Sequence, residues 1–306
     1  MKINIYHYII AFFVVTNIGF AQQDPGYTQY MYNMLTFNPA YAGSTGSLEA
    51  NLLHRSQWVG IDGAPTTQSL GIHAPLRNEK IGLGFTAVND NLGPSNETYL
   101  DGNISYTISL GLETQLAFGI KGGARILNLD WSKGRYYNNT DNLLNNNVNN
   151  QISPSVGAGA FLYTDNWYVG LSAPNFLKGD YYDDIRESID VERVHYFLTA
   201  GYVFDLNENL KFKPAVLARG VSGAPLTFDI SANLLFNEKF TFGASYRHDD
   251  SVSALAGFQV WQDFFVGYSY DYTTTNLNKY NDGSHEIVLR FQLSEKSGRI
   301  KSQRFF

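Results

Sequence analysis

The sequence predicts an all-β fold, specifically a transmembrane antiparallel β-barrel of the outer membrane with about 14 strands, long extracellular loops and short periplasmic turns. Three observations predict it. Apolar and polar residues alternate with a period of two through most of the 306 residues. Aromatic residues are abundant (15%) while charged residues are few (16%), which is unusual for a soluble enzyme. Finally, the connections between the predicted strands alternate between long and short.

The composition excludes several classes of protein. The chain has no cysteine, which excludes disulfide scaffolds, zinc sites with thiolate ligands and iron–sulfur clusters. A formal net charge of -6 and a pI of about 5.5 argue against nucleic-acid binding. With a mean hydropathy of -0.22 and no long apolar run after the N-terminus, a helical membrane protein is excluded as well. The sequence therefore predicts no nucleic-acid partner, no cofactor and no metal site.

Residues 1–21 have the pattern of a secretory signal peptide. Lys2 provides the positive end, an apolar stretch extends to Ile18, and Gly19 and Ala21 are the small residues that a signal peptidase requires. We expect cleavage after Ala21 and export from the cytoplasm. The alternative is a buried N-terminal strand or helix, which the polar residues 22–25 disfavour.

Alternation is clearest in the segments around residues 100–109, 226–236, 264–273 and 287–293. Strands of about nine to eleven residues are long enough to cross a bilayer when tilted. The barrel is predicted over residues 47–293, with strands near 47–57, 66–74, 81–88, 98–109, 114–129, 153–163, 167–173, 192–204, 210–219, 225–236, 239–248, 251–260, 263–273 and 284–293.

Connection lengths support a barrel with two different ends. The long connections are predicted at residues 58–65, 89–97, 130–152, 174–191 and 274–283. Tight turns, for example at residues 164–166 and 237–238, alternate with them, and the short connection at 248–251 is an exception. Long loops on one side and short turns on the other are typical of outer-membrane barrels with both termini in the periplasm.

Period two alone also fits a secreted β-sandwich, so the membrane barrel rests on a further observation. The polar face of the predicted strands carries many charges, which suit a wet lumen and would be costly in lipid. The predicted lumen charge network consists of Arg55, Lys121, Arg125, Arg193, Arg219, Asp229, Arg247, Asp271 and Arg290. The four tryptophans also fall at predicted strand ends, as in an interfacial aromatic belt.

Residues 22–46 are predicted to form a periplasmic lead-in or plug before the first strand. The motif in this segment consists of Asn38, Pro39, Tyr41 and Gly43. Pro39 fixes φ and Gly43 permits a left-handed turn, which favours a compact structure. The motif is either a gate or docking point for periplasmic components, or a turn that seals the base of the barrel. The basic tail, residues 294–306, either docks an acidic partner or is a frayed terminus.

The long outer loops are the predicted partner-binding sites. One loop combines an aromatic anchor with stiff turn residues, and another combines acidic and aromatic residues. The candidate contact residues are Trp58, Ile61, Asp62, Tyr181, Tyr182 and Asp183. Histidines are scattered, and no metalloprotease, serine-hydrolase or phosphate-binding motif is present, so the sequence predicts no catalytic residues and a protein that is not an enzyme.

Motifs along almost the whole chain carry a family resemblance. They occur in order at residues 29–33 (QYMYN), 38–43 (NPAYAG), 55–68 (RSQWVGIDGAPTTQ), 121–123, 201–204, 223–226, 243–247 (GASYR), 253–258, 267–271 (GYSYD), 283–287 and 304–306. With these motifs the sequence resembles the PorP/SprF family of outer-membrane proteins.

The resemblance implies a place in the type IX secretion and gliding machinery of Bacteroidota. It implies an outer-membrane barrel, in contact with membrane lipid, that partners with a secreted cell-surface adhesin or its C-terminal domain. Periplasmic secretion or motility components are further expected partners. The expected function is to anchor the adhesin or help to export it through the extracellular loops. The alternative from another class is an outer-membrane channel for small solutes.

Overall fold

The strands of the chain form one closed antiparallel barrel. A computed structural model describes residues 26–134, 147–177, 194–221 and 225–293. Each strand pairs with the next along the chain, and the last strand pairs with the first, from Glu49 with Gln292 to Ser56 with His285. Closure leaves no sheet edge between the first and last strands, as a bilayer requires.

The strands are β1 (Glu49–Ser56), β2 (Thr66–Pro75), β3 (Ile81–Leu92), β4 (Ser95–Ser109), β5 (Gln115–Leu129), β6 (Val148–Tyr163), β7 (Trp167–Ala173), β8 (His195–Tyr202), β9 (Phe204–Asn207), β10 (Leu210–Val221), β11 (Thr227–Phe236), β12 (Phe240–Arg247), β13 (Ser251–Trp261), β14 (Phe264–Thr273) and β15 (Ser284–Gln292). The segments β8 and β9 pair with β10 one after the other and are separated only by Val203, so they form one strand of the barrel. The barrel therefore has the 14 strands that the sequence predicts.

The two faces of the barrel confirm the prediction of a membrane protein. On β1, Leu52 and His54 point outward, while Asn51, Leu53 and Arg55 are buried inside. On β14, Tyr268 and Tyr272 point outward. Exposed apolar side chains thus cover the outside and polar ones line the inside, the reverse of a soluble protein.

Loop lengths divide the barrel into two ends. At the long-loop end lie the connections that follow β1, β5, β7 and β14, as the sequence predicts. At the short-turn end, the connections within the described residues contain between two and five residues, for example residues 262–263 between β13 and β14 and residues 76–80 between β2 and β3.

One predicted long loop is wrong. Residues 89–97 do not form a loop, because β3 continues to Leu92 and β4 begins at Ser95. Only Gly93 and Pro94 form the turn, and Gly93 adopts a left-handed φ of 56°. Side chains of this region bond across the ladder, as where Asn89 Nδ2 donates to Thr98 Oγ1 at 2.9 Å.

Short helical turns form a chain segment that precedes β1. A 3₁₀ turn at Tyr30–Tyr32, the one-turn helix α1 (Met34–Phe37) and a second 3₁₀ turn at Pro39–Tyr41 follow one another. Two further 3₁₀ turns lie at the long-loop end, at Trp131–Lys133 and Asn276–Lys279. Among the described residues, no helix is long and apolar enough to cross a membrane.

Candidate functional site

The segment before β1 lies inside the barrel. We call residues 27–44 the inner segment. Its apolar side chains form half of the buried hydrophobic core, and Tyr30 and Ala40 are fully buried. The segment enters at the long-loop end, where Thr28 contacts Arg55 near the end of β1. It leaves at the short-turn end, where the Gly43 N–H donates to His73 Nδ1 of β2 at 3.2 Å.

Charged side chains of the barrel wall hold the start of the inner segment. The Glu286 carboxylate accepts hydrogen bonds from the backbone N–H groups of Thr28 (3.0 Å) and Gln29 (2.7 Å). The Thr28 hydroxyl donates to Asp271, and Arg55 donates to the same hydroxyl at 3.0 Å. The Arg247 guanidinium donates to the Tyr27 carbonyl at 3.1 Å. Buried, charge-assisted bonds of this kind are stronger and more directional than neutral ones.

Aromatic contacts hold the middle of the inner segment. The ring of Tyr32 packs against Phe265 of β14 at 4.9 Å, and the Arg290 guanidinium lies over both rings. The Tyr30 hydroxyl lies 3.1 Å from Ser231 Oγ of β11. A phenol and a serine hydroxyl can each donate or accept, so this buried contact is satisfied without a charge.

The predicted motif Asn38-Pro39-Ala40-Tyr41-Ala42-Gly43 lies within the lumen, towards the short-turn end. Asn38 caps the second 3₁₀ turn by accepting from the Ala40 N–H, and its amide donates to the Ala160 carbonyl of β6 at 3.1 Å. Tyr41 packs edge-on against His73 and against Phe161 of β6.

Glycines of the wall allow the inner segment to come this close. Gly119 of β5 lies against the backbone of Pro39 and Ala40, and Gly82 of β3 lies against the Ala42 carbonyl. A Cβ atom at either position would overlap that backbone. At these two positions the backbone of the wall therefore lies directly against the backbone of the inner segment.

Seven of the nine predicted lumen charges form ion pairs in the structure. Arg55 pairs with Asp271 at 2.7 Å, and Asp229 pairs with both Arg219 and Arg247. Lys121 pairs with Asp101 at 2.7 Å. The remaining predicted members are Arg125, which pairs with Glu97 at 2.7 Å, Arg290, which lies over Tyr32, and Arg193, which is outside the described residues.

The predicted charge network lacks two acidic partners that the structure adds, Glu286 and Glu97. Glu286 bonds both the inner segment and Arg55, yet the predicted charge network does not include it. Glu97 falls in the predicted loop at residues 89–97, whereas the structure has it in β4. The alternation of β15 contained the signal for Glu286, because it lies on the same face as Val288, two residues further along. Among the described residues, no group of three or more His, Asp or Glu side chains could hold a metal ion.

The first outer loop, residues 57–65, is fixed to its neighbours. The Val59 N–H donates to the Gly283 carbonyl at 2.9 Å, and the Asp282 N–H donates back to the Val59 carbonyl at 2.7 Å. The Gly93 N–H donates to the Gly63 carbonyl. Of the predicted contact residues, Trp58 and Ile61 are half-buried and Asp62 is exposed. The other three, Tyr181, Tyr182 and Asp183, lie outside the described residues, as does the basic tail, residues 294–306.

Backbone hydrogen bonds thus join the loop to the β14–β15 connection, which also contains the 3₁₀ turn at Asn276–Lys279. Tyr280 is an exposed aromatic side chain of this connection, at 72%. Elsewhere at the long-loop end, hydrogen bonds from Ser132 lower the pKa of Asp130, at the base of the β5–β6 connection.

Comparison with known families identifies the chain. The family model described as "Type IX secretion system membrane protein PorP/SprF" matches residues 19–291. The chain belongs to the PorP/SprF family. The predicted family is therefore confirmed, and so is the outer membrane as the location of this PorP/SprF barrel.

Several solved membrane proteins resemble this chain, each with a TM-score below 0.5. The outer membrane protein Omp33 of Acinetobacter baumannii is 9% identical, with a TM-score of 0.49, over 81% of this chain and 100% of that one. A Pseudomonas aeruginosa FadL homologue is 12% identical, with a TM-score of 0.47, over 88% and 94%. The CymD monoaromatic hydrocarbon channel is 13% identical, with a TM-score of 0.48, over 88% and 94%. No curated protein sequence matches the PorP/SprF barrel significantly.

Proposed function

We propose that this PorP/SprF protein is a non-enzymatic barrel that binds a secreted surface adhesin through its long outer loops. It anchors the adhesin at the surface or helps to export it. The inner segment serves as a plug that closes the lumen. The observation that carries this proposal is the course of the inner segment, which passes through the lumen from the long-loop end to the short-turn end.

The packing of the inner segment supports a closed lumen. The segment bonds to strands on opposite sides of the barrel, from Asp271 of β14 to Ala160 of β6. Its side chains are nearly all buried, and the charges of the wall are used in pairs rather than lining an open path. A filled lumen whose wall charges are paired favours a structural role that supports partner binding over the conduction of solutes.

The rigidity of the first outer loop supports binding of a protein partner. Backbone hydrogen bonds join this loop to the connection before β15, so little conformational entropy remains to be lost on binding. The joined loops expose Val59, Tyr280 and Asp62 together. Aromatic and apolar side chains beside a charge are typical of binding hot spots.

The first experiment is an affinity pull-down of the tagged barrel from native outer membranes in mild detergent, followed by mass spectrometry. We expect one large secreted protein in the eluate. The double variant Val59→Ser, Tyr280→Ser should reduce its recovery, because both side chains are exposed at the long-loop end. The matched control is Trp261→Ser, an exposed aromatic at the short-turn end, which should leave recovery unchanged. A clean barrel without a secreted protein would overturn the proposal.

The second candidate function is a channel for small solutes, and it has one observation in its favour. The described residues leave a cavity of about 80 Å³ in the half of the lumen nearer the long-loop end. Conductance of the pure barrel in planar bilayers separates the two functions. A plugged barrel gives no steady current, whereas a steady open-pore current would favour the channel.

A further inference from the structure

The inner segment does not fill the lumen evenly. The hydrogen bonds of residues 27–29 are to strands β1, β12, β14 and β15, which form one side of the barrel. Towards the opposite side, a cavity of about 80 Å³ remains beside the segment. We call it the chamber. A water molecule needs about 10–15 Å³ measured in this way, so the chamber has room for a group the size of a side chain.

Most of the chamber wall is apolar. Tyr27 of the inner segment lies at the long-loop side, and Phe37 of α1 closes the opposite side. The Phe37 ring stacks on Phe197 of β8, with the ring centroids 5.5 Å apart. Val88, Pro174 and Leu217 add to the apolar lining. Such a wall favours an aliphatic or aromatic group.

The charged groups of the chamber are mainly cationic. Lys121 and Arg219 line it together with a single carboxylate, that of Asp101. Lys121 donates to Asp101 Oδ2 at 2.7 Å, and an ammonium group has three N–H donors. Arg219 contacts Asp229 at the longer distance of 3.4 Å. Two cations that are each nine-tenths buried at the edge of an apolar cavity favour an anionic oxygen there.

We propose that the chamber is a binding site for an apolar, side-chain-sized group that carries a carboxylate. The carboxylate lies towards Lys121 and Arg219, and the apolar group packs between Phe37, Phe197 and Leu217. Two sources share this chemistry: a free aromatic or aliphatic acid, and the C-terminal residue of a peptide. If the ligand is the C-terminal residue of a peptide, the inference extends the proposed function and rests on it. Binding of a free acid would be independent of the proposed function.

The test uses the purified full-length barrel and measures dissociation constants by ligand-observed NMR. The ligands are 3-phenylpropionate, its amide, 2-phenylethylamine, and a five-residue peptide ending in phenylalanine with either a free or an amidated C-terminus. We expect the carboxylates to bind at least about tenfold more tightly than the amides or the amine, the difference that one charged hydrogen bond provides. Tighter binding of the free acid or of the peptide then identifies the source.

Two variants locate the site. Leu217→Trp places a large side chain in the chamber and should abolish binding, whereas Leu198→Trp, on the outer face of β8, should not. If Leu217→Trp does not fold, the double variant Lys121→Gln, Asp101→Asn removes a cation with its partner and should weaken carboxylate binding about tenfold.

Equal binding of acids, amides and amine would overturn the proposal, as would binding that Leu217→Trp does not change. Absence of binding by every ligand would also overturn it. These outcomes are distinct from failure of the proposed function, because the pull-down of the secreted protein is measured separately and does not need the free ligands.

Discussion

Thr28 and Glu286 lie 258 positions apart in the sequence, yet the Thr28 backbone N–H donates to the Glu286 carboxylate at 3.0 Å. This bond joins the start of the inner segment to the last strand of the barrel. Arg55 donates to the same carboxylate at 3.1 Å and so fixes it in place. Arg55 of the first strand and Glu286 of the last strand thus bond to each other and also hold the inner segment.

Substitution Glu286→Gln should therefore weaken both the barrel and the hold on the inner segment. The amide cannot balance the charge of Arg55, and it accepts fewer hydrogen bonds from residues 28 and 29. We expect the free energy of unfolding to fall by about 2–4 kcal/mol. Reversible urea unfolding of the refolded barrel in lipid vesicles measures it.

The control for this variant is Glu238→Gln. Glu238 pairs with Lys211 at 3.2 Å, but its side chain is 75% exposed at the short-turn end. An exposed ion pair contributes little, so the expected loss is at most about 1 kcal/mol. Equal losses in the two variants would contradict the assigned role of Glu286.

Gly119→Val should displace the inner segment from the wall. Gly119 faces the lumen against the backbone of Pro39 and Ala40, where no Cβ atom fits. Overpacking of this kind costs about 1–3 kcal/mol. Gly122→Val on the same strand is the control, because nothing lies within 4 Å of a Cβ at that position. The urea concentrations at the midpoint of unfolding compare the two variants. A midpoint for Gly122→Val at or below that of Gly119→Val would contradict close packing of Gly119 against the inner segment.

Removal of residues 27–42 should open the lumen. The segment contributes half of the buried hydrophobic core, and its removal would leave a lumen lined by both polar and apolar side chains. In planar bilayers we expect steady current from the deletion variant and none from the intact protein. Gly122→Val serves as the matched barrel with an unchanged lumen. A deletion variant that folds, as judged by heat-modifiable mobility in electrophoresis, but carries no current would contradict the role of the segment as a plug.

Ile104→Arg should disturb the lipid face. Ile104 points outward from the middle of β4, and an arginine near the midplane of a bilayer costs about 2–4 kcal/mol. Leu112→Arg is the control, since Leu112 is fully exposed in the turn between β4 and β5 and the expected cost there is about 0–1 kcal/mol. Unfolding in vesicles compares them, and equal costs would argue against a membrane position for Ile104.

Local sequence patterns are sufficient to predict which side chains face lipid and which face the lumen. In a strand, successive residues point to opposite faces, so the directions of Leu52 and Arg55 follow from spacing alone. The number of strands and most connections follow from the same period. The turn at Gly93 and Pro94 does not, because asparagines such as Asn89 are common in loops and are kept in the strand here by bonds to a neighbouring strand.

The content of the lumen, in contrast, depends on tertiary contacts. Tyr30, Phe37 and Tyr41 belong to short helical turns with no strand period, and their partners come from strands that are distant in the sequence. The same is true of Glu286, whose role depends on the inner segment lying beside it. A local pattern fixes the direction of a side chain, but the partner it meets depends on closure of the whole barrel, which brings distant residues together.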